Sequence, residues 1–122
     1  MATRSRIGIL DEGNMTVQSI YCHWDGYLKG GVGEVLFEHW RTEDRVRRLI
    51  RFGEISSLTP ETIKSYDDAP ETVPSHSLIR WPDSGQEYEY LFTPSLGTWS
   101  FRNVGDDIRG PWTLLSEGLS EV

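Results

Sequence analysis

The sequence predicts an α+β domain: an antiparallel β-sheet of about four or five strands with two short helices packed on one face. Three observations carry this expectation. Two strand-like runs come first, residues 4–10 and 15–23, separated by Asp11-Glu12-Gly13-Asn14. Two apolar patterns of helical period follow, beginning at Val32 and at Thr42. A period-two alternation then appears in EYEYLF, residues 87–92. Strands, then helices, then strands again is the order of an α+β domain rather than of repeating β–α units. A chain of 122 residues is the size of one continuous core, so residues 1–122 are expected to form a single domain.

In the first pair of strands, Gly13-Asn14 supplies the residue types that tolerate the positive φ of a tight hairpin. The second strand, with Val17, Ile20, Tyr21 and Cys22, ends at the turn signal Asp25-Gly26. Val32, Val35, Leu36, His39 and Trp40 then fall at i, i+3, i+4, i+7 and i+8, one face of an amphipathic helix. Thr42 is placed to cap a second helix, with Glu43 and Asp44 at its positive end, Arg48 and Arg51 at its negative end and Gly53 as its stop. Residues 54–75, with Pro60, Pro70 and Pro74, read as a long connection with one short helical turn near Glu61–Tyr66. Ser77–Trp81 reads as a strand ended by Pro82-Asp83-Ser84-Gly85. In the closing hairpin Tyr88, Tyr90 and Phe92 face one way and Glu87 and Glu89 the other, while Trp99 and Phe101 alternate with Thr98, Ser100 and Arg102. Trp112, Leu114, Leu115 and Leu119 form an apolar tail that must dock on the core or on another chain. A homodimer is expected on that ground.

The formal net charge is −7, which opposes attraction to nucleic acid or to an anionic membrane surface. No sequence-specific nucleic acid binding and no membrane partner are expected, and no segment approaches the ~20 apolar residues of a membrane span. The average hides a division. Arg41, Arg45, Arg47, Arg48 and Arg51 crowd one helix against Glu43 and Asp44, whereas residues 54–89 carry eight acids against Lys64 and Arg80. Arg41, Arg45 and Arg48 recur on one side of the helix, a solvated face or a site for phosphate or an acidic partner. Cys22 is the only cysteine, so neither an internal disulfide nor a multi-cysteine zinc site can form, and the default address is the cytoplasm.

The densest cluster of chemistry is Tyr21-Cys22-His23-Trp24-Asp25-Gly26-Tyr27. Cys22 and His23 are strand neighbours and point to opposite faces, so they do not make a nucleophile–base pair. His39 could serve from the first helix, although a histidine on an apolar face is usually packed. His23 and Asp25 share a face and could form an acid/base pair, the basis of an alternative reading as a small hydrolase or nucleotide-processing enzyme. No metal site and no cofactor are expected, and the phosphate-loop, dinucleotide, nucleophile-elbow and zinc-protease motifs are all missing. The Lys29-Gly30-Gly31-Val32-Gly33 loop precedes a helix, so its free amides could hold an anion, or it could be only a flexible link.

Thr3-Arg4-Ser5, Tyr21 through Tyr27, Glu38-His39-Trp40, Gly53 to Leu58, and Tyr90-Leu91-Phe92 with Trp99 resemble the signature segments of a family of small, uncharacterised bacteriophage and prophage proteins carrying a YCHWDGY string. The resemblance covers the first half well and the last third loosely. A GRDRGE-like segment of that family is replaced here by His76-Ser77-Leu78-Ile79-Arg80-Trp81. The resemblance implies a phage accessory role in the host bacterial cytoplasm, counter-defence included. It suggests a non-enzymatic protein that binds and blocks a host component, a host protein ahead of a small nucleotide signal, through Tyr21, His23, Trp24, Asp25, Tyr27, Arg41, Arg45 and Arg48. A minor virion protein is the remaining alternative.

Overall fold

The structure, a computed structural model, describes residues 3–58, 63–65, 75–82, 85–105 and 108–120. The elements in chain order are β1 (Ser5–Asp11), β2 (Thr16–Cys22), α1 (Val32–His39), α2 (Glu43–Ile50), β3 (Ile55–Leu58), β4 (Ile63–Ser65), β5 (Ser75–Ser77), β6 (Tyr88–Thr93), β7 (Thr98–Gly105), β8 (Ile108–Arg109), β9 (Thr113–Leu114) and α3 (Leu115–Ser120). The α+β class is as the sequence predicts, but the sheet is mixed rather than wholly antiparallel. Its order is β4-β3-β2-β1-β6-β7-β8, with β5 also on β2 and β9 also on β7. β1 pairs antiparallel with β2 and parallel with β6, placing Ile7 beside both Ile20 and Tyr90. Parallel pairing needs a long crossover. Here the whole helical region and the middle of the chain supply it, which no local pattern announces.

Both helices form where their apolar spacing places them. Thr42 Oγ1 accepts from the Arg45 amide at 3.3 Å, and Gly53, at φ 75°, ends the segment after α2. Ile7, Ile9, Ile20 and Cys22 from the first hairpin and Tyr90, Phe92, Trp99 and Phe101 from the last face Val32, Leu36, Trp40, Val46, Leu49 and Ile50 in one continuous core. Trp40 caps that core, its carbonyl accepting from Trp99 Nε1 at 2.7 Å. His39 departs from the predicted apolar face: it is exposed, 4.0 Å from Glu38. In the first turn the residue with positive φ is Met15, at 54°, because four residues separate the Asp11–Thr16 pair and the left-handed position falls last.

Two other expectations change. Residues 54–75 contain β3 and β4 rather than only a connection; Ile63–Ser65 is strand, while the remainder of the predicted turn near 61–66 lies outside the described residues. The strand predicted over Ser77–Trp81 is Ser75–Ser77 instead, β5 on the edge of β2. The apolar tail docks largely within its own chain: Leu115 is fully buried and Gly118 lies against the Phe101 ring, with Leu114 left exposed.

Candidate functional site

The Tyr21–Tyr27 segment forms a corner where β2 leaves the sheet, and its backbone is held on several sides. The Gly26 amide donates to the Thr3 carbonyl at 2.7 Å, and the Tyr90 hydroxyl donates to the Gly26 carbonyl at 2.6 Å. The Asp25, Tyr27 and Leu28 carbonyls accept from the Val32, Gly33 and Glu34 amides at 2.8, 3.0 and 2.8 Å. These are the donors that the start of a helix leaves without intrahelical partners. The corner itself caps α1, so the glycine loop does not offer those amides to an anion. This overturns the phosphate-loop alternative.

Burial separates the corner's side chains into two groups. The Cys22 thiol is buried, donates to the Trp24 carbonyl at 3.1 Å, and has its pKa pushed up to about 12, chiefly by desolvation. It is a packed apolar group and not a nucleophile. Burial also drives the Tyr90 hydroxyl well above its ordinary pKa, keeping it a donor to Gly26. The Tyr21 hydroxyl and His23 Nδ1 share a 2.8 Å hydrogen bond, and the His23 ring meets Trp24 edge-on with centroids 4.8 Å apart. Asp25 is exposed. Thus Nδ1 of the His23 imidazole is engaged by Tyr21. Trp24 and Tyr27 stay 44% and 47% exposed on this fixed backbone.

For Cys22 the sign of the pH effect follows directly. Below pH 9.0 the thiol is protonated in both states; between 9.0 and about 12 the unfolded chain releases the proton and the folded chain keeps it, so Cys22 makes stability fall as pH rises. Urea unfolding from pH 8 upward is expected to show that loss in the wild type and a smaller one in Cys22→Ala. Labelling by a thiol reagent should be slow in the folded protein and fast in urea.

The arginines sit elsewhere. Arg41 is not on one helical side with Arg45 and Arg48 as the spacing predicts: it precedes the extended Thr42 cap, in the link between α1 and α2, and its guanidinium lies over the Phe37 ring at 5.3 Å. That of Arg45 lies over Trp40 at 4.5 Å, while Arg47 pairs with Glu43 at 2.8 Å and Arg48 is exposed. Trp40 reaches Trp99, one pair from the β6–β7 turn, and Arg47 borders a groove with Leu10, Asp11 and Pro94. The two hairpin tips are tied there by the Ser95 amide donating to Glu12 at 2.7 Å. The corner lies at the opposite end of β1, roughly 20 Å away at the rise of a seven-residue strand. The structure therefore brings Tyr21, His23, Trp24, Asp25 and Tyr27 together in one corner and holds Arg41, Arg45 and Arg48 apart from them.

One cluster was not foreseen. Glu89, read from its alternation as solvent-facing, is fully buried, and Arg102 beside it is 5% exposed. Pairing aligns Tyr21, Arg6, Glu89 and Arg102 in one row across β2, β1, β6 and β7, on the face away from the helices. The segment 78–82 and Trp112 cover that face with Val17, Trp81 and Leu91. Arg102 Nε donates to Glu89 at 2.7 Å and Nη2 to the Ile79 carbonyl at 3.1 Å, while its guanidinium sits 4.2 Å over Trp112. Gln86 Nε2 donates to Glu89 at 3.0 Å and to the Pro82 carbonyl at 2.7 Å. Arg6 donates to the Ser19 hydroxyl at 3.1 Å, and burial lowers its pKa against the opposing charge of Glu89. The sequence signal was a charge on the polar side of each of three strands, visible only once the strands are aligned.

Among the described residues, no group of three or more histidine, cysteine or acidic side chains is arranged to hold a metal ion, and no helix is long and apolar enough to cross a membrane. Comparison of the chain with protein-family models, with curated proteins and with solved structures finds no match.

Proposed function

We propose that this chain is a non-enzymatic phage accessory protein that binds and blocks a component of the bacterial host, with a host protein as its partner and the Tyr21–Tyr27 corner as its contact. The observation that supports this reading is the exposure of Trp24 and Tyr27 on a backbone held by carbonyl and amide partners around it. Aromatic side chains dominate protein-contact energetics, and rings presented on a fixed loop lose little freedom when a partner covers them. In the same corner the thiol is buried, the imidazole Nδ1 is bonded to Tyr21 and the backbone carbonyls of Asp25, Tyr27 and Leu28 cap α1, while the Asp25 carboxylate stays exposed beside the two rings.

The test is affinity capture from host lysate with tagged wild type and a Trp24→Ala/Tyr27→Ala variant that retains the native melting temperature. A stoichiometric host protein should be recovered by the wild type, and its measured affinity should weaken about thirtyfold or more in the variant. Recovery of a co-purified ultraviolet-absorbing ligand with no protein partner would assign the chain to a nucleotide signal instead. Equal affinity in both forms would remove the corner from the interface.

A further inference from the structure

His76 takes no part in the corner, and its surroundings suit only a neutral ring. It pairs with Val17 in the three-residue β5, on the edge of β2, and so lies on the outer face of the sheet beside Ser19, two residues along from Val17. Its Nδ1 is 3.2 Å from the Ser19 hydroxyl, and Arg6 Nε donates to that same hydroxyl at 3.1 Å. An arginine can only donate, so the hydroxyl oxygen accepts from Arg6 and gives its own proton to Nδ1. The ring proton then sits on Nε2, which is buried and, among the described residues, has no hydrogen-bond partner. The charged group that acts on the ring is the buried Arg6 guanidinium of β1, which together with desolvation lowers the His76 pKa. Glu89 of β6, Glu54 ahead of β3 and Tyr21 of β2 act on Arg6, and Glu89 is also held by Arg102 and Gln86. Arg80, on the segment after β5, is exposed.

We propose that His76 is an acid-sensitive latch, whose protonation releases β5 and the Ser77–Arg80 turn from the edge of β2. In a protonated ring both nitrogens donate. Nδ1 would then turn the Ser19 bond around, so that one hydroxyl oxygen faces two cations, and Nε2 would stay buried without an acceptor. Both faults disappear when the ring swings into water. The segment it holds is short: β5 pairs with Thr16, Val17 and Gln18, and the Leu78 amide donates to the Met15 carbonyl at 3.2 Å. Ser77 ties the turn to the strand, its hydroxyl accepting from the Arg80 amide at 3.1 Å. Trp81 is the fixed end, because its ring fills the space over Gly8, where a Cβ would stand 3.0 Å from it. Above pH 6.5 the ring is neutral whether docked or released; below it the released ring takes up a proton that the docked ring refuses, so docking weakens as pH falls. No residue of the Trp24–Tyr27 contact takes part, so the latch stands or falls independently of the function proposed there.

The experiment follows the full chain by NMR from about pH 7.5 to 5, reading the His76 ring titration and the protection of the β5 and Leu78 amides against hydrogen exchange, corrected for the intrinsic pH dependence of exchange. The wild-type ring should titrate below 6.5. Protection of β5 and Leu78 should fall about fivefold or more across the range, the scale of a buried donor left unpaired, while the amides of the β1–β6 pairing keep theirs. His76→Asn retains an acceptor for the Ser19 hydroxyl and does not titrate, so its protection should be the same at both ends of the range. A ring that titrates at or above 6.5 would overturn the proposal from the wild type alone. Undiminished protection in the wild type, or an equal loss in His76→Asn, would also overturn it. A parallel loss at the β1–β6 amides would do the same, since the whole fold rather than the latch would then be opening.

Discussion

Glu89→Ala is expected to lower folding stability by about 3–5 kcal/mol, measured by urea denaturation, although its sequence context reads as a solvent-facing strand position. The carboxylate accepts from Arg102 Nε and from Gln86 Nε2. Removing it leaves the Arg102 guanidinium buried between Trp112, the sheet and the Ile79 carbonyl without its counter-charge. An uncompensated buried charge is costly because neither water nor a partner solvates it. Replacing both charges, as in Glu89→Leu/Arg102→Met, removes the Arg102 orphan but leaves buried Arg6 without the opposing charge of Glu89, so it should recover only part of the loss. A loss below about 1 kcal/mol for Glu89→Ala would mean that water reaches Arg102 and that the row is not sealed.

Gly31→Ala is the second large effect, expected at about 3 kcal/mol together with loss of partner binding at the corner. Its backbone is extended, at φ −137° and ψ −151°, so torsion is not the constraint. Space is. A Cβ at residue 31 would overlap the Asp25 carbonyl oxygen and stand 2.8 Å from that of Tyr27, two of the oxygens that cap α1. The neighbouring Gly30 is the reverse case, with φ +78° and nothing within 4 Å of where a methyl group would stand, so Gly30→Ala should cost only about 1 kcal/mol. Thermal melts of the two variants separate the effects: similar costs would show that the loop moves aside and that the corner is not rigid.

The parts of this fold legible in the sequence are those set by local rules. The Thr42 cap, the Gly53 stop, the apolar face Val32-Leu36-Trp40 and the Tyr88-Tyr90-Phe92 alternation each depend on neighbours within a few positions. The parts that were not legible depend on pairing. Alternation assigns Glu89 correctly to the face opposite Tyr90, but only the alignment of β1 between β2 and β6 and the covering segment 78–82 make that face an interior. Likewise, the corner was legible as a concentration of chemistry. Its use as a helix cap was not, because the Asp25–Val32 and Tyr27–Gly33 contacts involve backbone groups that carry no side-chain signature.

The parallel contact between β1 and β6 also sets an order on folding. Ser5 pairs with Tyr88 and Ile9 with Phe92, so the central strand of the sheet has one edge that its nearest neighbours in sequence cannot cover. At ribosomal rates of about 5–20 residues per second, that edge waits on the order of ten seconds for its partner. The β1–β2 hairpin and the two helices can assemble early from local contacts, whereas closure of the sheet requires one of the most distant pairings in the chain. The N-terminal half therefore leaves the ribosome as a half-built sheet with an open strand, and its hold time falls directly as translation speeds up.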